Sequence, residues 1–283
     1  MPGVAARGEG WAAMSEEWLR ATSKPVPPVK IDTSVPNVAR VWNYLVGGRD
    51  NFEADRRAAR LLISAAPVMA EIGPVSRAFL RRAVTYLAAE AGIRQFLDIG
   101  TGMPTGGNTH EVAQAAAPGC RIVYVDNDPI VLTHARALLR SAVGGVSFLD
   151  ADARDPAAVI DGASQTLDLT QPVALVMIDI LNFLPDPVAV IAGLIAPLPS
   201  GSYLAVMQPT ADERLAVAAE RWNQISPVQV YLRDYATVDG WLAGLRLDLI
   251  EPGLVELDRW RPAPGDPEYP GGMPLLGAVA RKP

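Results

Sequence analysis

The sequence predicts an open α/β fold: a mostly parallel sheet with helices on both faces, one antiparallel strand near the C-terminus, and a block of helices ahead of the first strand. Three observations predict it. Short apolar runs alternate with helical periods from residue 95 to residue 207, several of those runs end in an acid, and the first turns sharply through Gln95-Phe96-Leu97-Asp98-Ile99-Gly100-Thr101-Gly102. At 283 residues and 49% hydrophobic content, the chain is long and apolar enough to bury a full core.

The elements follow in order. Residues 1–30 hold a short amphipathic stretch from Trp11 to Leu19 and then Pro25, Pro27 and Pro28, which predicts a tail. Residues 31–92 predict a helical lid: one helix near 36–46 stopped by Gly47-Gly48, one near 52–65, and one near 74–91 with Pro74 at its first position and Gly92 as its stop. Residues 93–283 carry the sheet, with strands near 95–99, 121–125, 146–150, 173–179 and 202–207. Helices near 211–223 and 234–244 come next, and late β-like runs around 247–257 and 274–280 can close the sheet as a hairpin with one antiparallel strand.

The chemistry gathers at the strand ends, where ligands collect in an open parallel sheet. Gly100 and Gly102, flanking Thr101, let the backbone turn tightly and a ligand approach closer than a Cβ would permit. Asn108 and Glu111 have the spacing of a capping box for the next helix. Arg121–Val125 ends in Asp126, beside Asn127, where an acid can take both hydroxyls of a ribose, and Asp128 before Pro129 suits a helix cap. Val146–Leu149 runs into Asp150 and Asp152. An acid here, with Asp152 preferred, can accept from an adenine amino group while a backbone N–H at Ala153 faces a ring nitrogen.

A third acid in this position is the order found in S-adenosylmethionine (SAM) methyltransferases. A dinucleotide loop wants a further glycine where Thr105 stands, and Pro104 removes an N–H that a pyrophosphate would use. The cofactor expected is therefore SAM. Asp179, ending the fourth strand, and Asn182 in the loop after it fall beside the reacting methyl group. The polar run from Asn37 to Arg56 supplies substrate contacts in the lid reading, with Arg40, Tyr44 and Asn51 as candidates. If the acceptor is a hydroxyl, Tyr44, Asp50 or Asp179 could serve as base.

A formal charge of −6 argues against general nucleic-acid binding, which leaves a small molecule as the expected partner. A single cysteine, Cys120, cannot pair internally and fits a reducing cytoplasm; no segment reaches the length of a membrane span; and two histidines with one cysteine leave no His-rich metal site.

The strings VPNVARVWNYLVGGRDNFEADR, RAFLRRAVTYLAAEAGIRQFLDIGTGMPTGGNTHEVAQ, VYVDNDP and GAVARK carry a close resemblance to a bacterial family of SAM-dependent methyltransferases long filed as a domain of unknown function. The resemblance runs from about Thr33 to Lys282 and implies a Rossmann-like methyltransferase sheet and SAM as cofactor. It leaves the acceptor unnamed. The chain departs from it at Asn182, where many relatives carry His. The helix bearing Arg77 is similar to an arginine-bearing helix of certain small-molecule and carboxyl methyltransferases, which implies that Arg77 pairs with the methionine carboxylate of the cofactor. Two alternatives stay open: a SAM-binding regulator without transferase activity, and a nicotinamide-dependent oxidoreductase.

Overall fold

The computed structural model describes residues 32–138 and 145–283, which form one compact unit; the tail stretch from Trp11 to Leu19 lies outside them. Three helices precede the sheet: α1 (Val38–Leu45), α2 (Glu53–Ala65) and α3 (Met69–Ala89). The alternating part follows as β1 (Gln95–Ile99), α4 (Thr109–Ala116), β2 (Arg121–Asp126), α5 (Pro129–Leu138), β3 (Val146–Asp150), α6 (Pro156–Ala163) and β4 (Ala174–Met177). After a 3₁₀ turn at Leu181–Phe183 come α7 (Pro187–Ile195), β5 (Tyr203–Pro209), α8 (Glu213–Ile225) and α9 (Tyr235–Gly244). Three late strands complete the chain: β6 (Asp248–Leu249), β7 (Val255–Glu256) and β8 (Leu275–Arg281).

The sheet order is β3-β2-β1-β4-β5-β8-β6, with β7 also paired to β8. The first five strands are mutually parallel, and β8 runs antiparallel beside β5 over its full length, from Tyr203 opposite Arg281 to Pro209 opposite Leu275. The expected closing hairpin is therefore an insertion, since β8 wedges between β5 and β6. Both faces are covered, and the pleat sorts side chains between them. Phe96, Ile122, Tyr124 and Val176 join the core under α3, while Leu97, Ile99, Val123, Val125 and Leu175 join the core under α6, α7 and α9.

Asp-Pro pairs start two of the crossover helices. Asp155 and Asp186 each accept from the backbone N–H three residues on, at 3.1 Å, and the following proline sits where its missing N–H costs nothing. Pro74 does not start α3. The helix begins five residues earlier through i→i−3 bonds at Met69, Ala70 and Glu71, and Pro74 lies inside it. Among the described residues, no single helix is long and apolar enough to cross a membrane.

The N-terminal helices are fastened by buried polar groups. Asp55, fully buried, accepts from Arg40 Nε at 2.8 Å, from the Phe52 N–H at 2.8 Å and from the Asn37 N–H at 2.9 Å. Arg40 Nη2 donates to the carbonyls of Asp32 and Val35. The Gly47-Gly48 turn is closed by Asn43 Oδ1, which accepts from the Asp50 N–H and from Asn51 Nδ2. Gly48 is required there because a Cβ would sit 2.3 Å from Asn43.

Candidate functional site

A cleft of about 550 Å³ opens at the carboxyl ends of β1, β2, β3 and β4 and continues beneath α1 and α8. That volume lies within the range of small-molecule sites, about 300–1,000 Å³.

The glycine turn forms its floor. Gly100 donates to the Val125 carbonyl at 2.9 Å, and a Cβ on it would lie 2.9 Å from Ile180, so the close passage of the loop after β4 requires glycine. Gly102 has φ 64°, and a Cβ there would meet nothing within 4 Å; its backbone faces open space in the cleft. Beyond the turn, the Asn108 N–H donates to Glu111 Oε2 at 2.7 Å, the reciprocal half of the expected capping box.

Asp126 stands at the end of β2 and lines the cleft. Its two oxygens accept from the Gly102 and Asp128 N–H groups, each at 2.9 Å, so the acid that faces the cleft also braces the glycine turn. Burial raises its pKa, and those backbone bonds work against the rise. Asp128 does the work of a cap, accepting from the Ile130 N–H at 2.8 Å, and its other oxygen receives Asn37 Nδ2 at 2.7 Å. The lid is thereby tied to the loop that carries Asp126.

After β3, Ala151, Asp152, Ala153 and Arg154 line the cleft while Asp150 does not. Arg154 grips Asp152 through side chain and backbone and holds its pKa down at about 2, with a further bond from Asn127 Nδ2 at 3.2 Å. Asp152 stays ionised, and its two oxygens already receive four donors, the Arg154 N–H and Nε on one and Arg154 Nη2 and Asn127 Nδ2 on the other.

The densest electrostatics surround Arg77 on α3. Its guanidinium donates to the Gly106 carbonyl at 2.7 Å and is attracted by both Asp98 and Asp179. Burial lifts Asp98 to about 6, and Thr109 Oγ1, donating at 2.6 Å, opposes the rise. Burial lifts Asp179 to about 8, against Ser76 Oγ at 3.2 Å and the charge of Arg77. Asp179 has φ 63°, a left-handed conformation held at a strand end inside the cleft. One half-buried cation attracted by two desolvated carboxyls suits a ligand with an anionic and a cationic group close together.

The lid candidates lie elsewhere. Arg40, 3% exposed, is consumed by the ion pair with Asp55; Asn51 holds the Gly48 carbonyl and Asn43; Tyr44 packs with the α1–α2 cluster; and Asp50 is exposed, 4.0 Å from His134. None of the four lines the cleft. This corrects the reading of Arg40, Tyr44 and Asn51 as substrate contacts and of Tyr44 and Asp50 as bases: a polar residue in a small lid is often what fastens the lid. Instead Asn37, Val41, Trp42 and Leu45 present that helix to the cleft. Asn182 does line it, at 7% exposure, and its Oδ1 has no hydrogen-bond partner. His110 is buried, with its N–H and Nδ1 both 2.8 Å from the Tyr124 hydroxyl, a packing role away from the cleft lining.

Sequence reasoning passed over Ser76, Thr109 and Trp222. Thr109 had a signal, a hydroxyl at the first helical position after the glycine loop. Trp222 and the segment 227–232 had none, because nothing in their local pattern says which cavity they face.

A parallel sheet with an antiparallel penultimate strand, a glycine turn after β1 and acids after β2 and β3 defines the Rossmann-like methyltransferase class, whose cofactor is SAM. The chain belongs to the S-adenosyl methyltransferase family, whose model matches residues 24–283. A domain-of-unknown-function family protein from Streptomyces avermitilis MA-4680 is 42% identical, with a TM-score of 0.85 over 90% of this chain and all of that one. A candidate methyltransferase from Thermobifida fusca YX is 36% identical, with a TM-score of 0.81 over 91% and 99% of the two chains. The magnesium protoporphyrin IX methyltransferase of Synechocystis PCC 6803, solved with S-adenosylhomocysteine, shares the fold at 14% identity and a TM-score of 0.55, over 86% and 93%. No curated protein matches the chain.

Proposed function

We propose that this SAM-dependent methyltransferase acts on a small molecule held between the strand ends and the lid, and that the cofactor lies along Arg77, the glycine turn, Asp126 and Asp152. The observation that carries the reading is the grouping of Arg77 with Asp98 and Asp179 beside a glycine backbone open to the cleft. A guanidinium takes a carboxylate with two parallel bonds, so Arg77 holds the methionine carboxylate. Asp98 holds the neighbouring ammonium, and Asp179 stands on the side of the reacting methyl. Asp126 receives the ribose hydroxyls, with Asn127 beside it. Asp152 and the Ala153 N–H meet the adenine edge.

When bound, SAM supplies a methyl group on a positively charged sulfur. What remains for the protein is to hold the acceptor in line with that group, about 3–3.5 Å away, and to keep water out. An acceptor hydroxyl loses its proton as the new bond forms, and the ionised form of Asp179 is the carboxylate at the reacting end that can take it. Cys120, single and buried, fits a protein of a reducing compartment such as the cytoplasm.

Calorimetry with SAM, S-adenosylhomocysteine and NAD tests the cofactor reading: the first two bind and NAD is silent. NAD binding with silent SAM overturns it. A screen of small-molecule extracts with methyl-labelled SAM then looks for the acceptor.

A further inference from the structure

The charges of the cleft are segregated. Every charged residue that lines it, including Arg77, Asp98, Asp126, Asp152 and Asp179, belongs to the end assigned above to the cofactor. None of the lining residues drawn from 37–72 or from 209–232 is charged; this wall is made by Trp42, Leu45, Leu62, Met69, Trp222 and Val230. The wall is built to stay. Trp222, 4% exposed, donates its Nε1 to the Val228 carbonyl at 2.7 Å, and Asn223 clasps Val230 through two bonds of 2.7 and 3.1 Å. The Tyr231 N–H donates to the Asn182 carbonyl at 2.8 Å, which seats the segment against the loop after β4.

A charged acceptor entering this chamber loses its water and meets no counter-charge, a cost that a neutral molecule avoids. Where the chamber meets the charged end, Asn182, 7% exposed, lines the cleft, and its buried Oδ1 has no hydrogen-bond partner. A buried acceptor left unpaired costs about 1–3 kcal/mol, and a ligand that brings an O–H or N–H restores that energy. Asn182 Oδ1 can only accept, as can Asp179 once ionised, so a group that pairs with both must donate.

Resting on the reading of the other end as the cofactor site, we infer that the methyl acceptor is an uncharged molecule with a bulky apolar body and a hydrogen-bond donor, and that the apolar chamber selects the body while Asn182 receives the donor. For a hydroxyl, the balance is simple. The acceptor oxygen bonds to the methyl carbon, the sulfur–methyl bond breaks with its electron pair retained by sulfur as a neutral thioether, and the hydroxyl proton passes to the Asp179 carboxylate and on to water.

The test uses three probes of one shape on the full chain saturated with S-adenosylhomocysteine: 2-naphthol, 2-methoxynaphthalene and 2-naphthoate. Titration with S-adenosylhomocysteine comes first, and failure at that step counts against the cofactor reading alone. In the loaded protein, calorimetry should show 2-naphthol binding, the methyl ether weaker by about fivefold for want of a donor, and the carboxylate weaker by more than about tenfold for want of a counter-charge. Asn182→Leu should erase the preference for 2-naphthol over its ether and leave S-adenosylhomocysteine affinity unchanged. Trp42→Ala should weaken all three probes together, and a melting curve with and without S-adenosylhomocysteine verifies that the variant folds. Binding of 2-naphthoate as tight as 2-naphthol, silence of 2-naphthol in loaded protein, or an intact donor preference in Asn182→Leu overturns the inference.

Discussion

At one end of the cleft Arg77, Asp98, Asp126, Asp152 and Asp179 gather around the ends of four strands; at the other, Trp42, Leu45, Leu62, Met69 and Trp222 make a wall without charge. The first end is local in sequence logic. Each acid sits at or just after the end of its own strand, and each is oriented by a nearby turn or helix, as Asp126 is by the Gly102 and Asp128 N–H groups. The second end is assembled from α1, α2, α3, α8 and the segment after α8, which have no short-range reason to meet. A parallel sheet delivers its strand ends to one edge whatever the sequence between them, so the charged end can stay constant while the apolar end is rebuilt by changing helix faces.

The sharpest way to break this comparison lies in the lid's fastening. Arg40 and Asp55 are buried at 3% and 0% exposure, and removing one partner of such a pair strands a charge in the interior. Arg40→Ala should therefore cost about 3–5 kcal/mol of stability, read by denaturant titration, with SAM affinity nearly unchanged. Full stability with lost turnover would instead make Arg40 a substrate contact.

Asp126→Ala comes next. In the proposed cofactor reading it removes two charge-assisted hydrogen bonds to the ribose, and it also removes the brace on Gly102, so it should cost about 2–4 kcal/mol of cofactor affinity. Asp128→Ala should act mainly on α5 and on the bond to Asn37, and so on stability. A larger loss of SAM binding from the change at 128 than from the change at 126 would assign the ribose to the wrong acid. Arg77→Met should follow with a loss of about 1.5–3 kcal/mol in cofactor affinity, the value of a charged hydrogen bond. Arg77→Lys should recover only part of it, because an ammonium cannot make the two parallel bonds.

The same contrast explains how much was legible in advance. β1 and β3 fall on the expected residues, and β2 runs one residue further, because a buried parallel strand is a short apolar run with a turn signal at its end. The acids after β2 and β3 were readable for the same reason. The start of α3 was not, since Pro74 is a strong local signal for a first helical position and the preceding turn overrides it with i→i−3 bonds. The place of β8 between β5 and β6 was hidden as well, because alternation along a strand says which face is buried and nothing about the neighbour. In the lid, polarity suggested Arg40, Tyr44 and Asn51, yet Asn51 and Arg40 look inward to bind Asn43 and Asp55. Composition cannot separate a polar group that recognises a ligand from one that satisfies its own fold.

The smallest effect is the one that joins the two ends, through protons. Burial raises Asp98 to about 6 and Asp179 to about 8, so near neutral pH the free protein carries part of this site protonated. SAM brings a sulfonium and an ammonium, which favour the ionised carboxyls and lower both values. Binding then releases protons, and affinity should climb with pH from below 6 to about 8 and level off above, by less than about tenfold per pH unit for each proton released. Calorimetry in two buffers of different ionisation enthalpy measures the release directly. S-adenosylhomocysteine, which lacks the sulfonium charge, should release less. Stability of the free protein carries the opposite sign. A carboxyl whose folded pKa lies above its unfolded value of about 3.9 contributes stability that is fully present below that value and is lost as pH rises through the folded one, here about 8 for Asp179. Asp179→Asn should accordingly flatten the fall in stability between about pH 4 and about pH 8, while cutting the protons released on SAM binding. Equal proton release by the variant would remove Asp179 from the cofactor's surroundings and leave Asp98 and Arg77 to hold that end of the cleft alone.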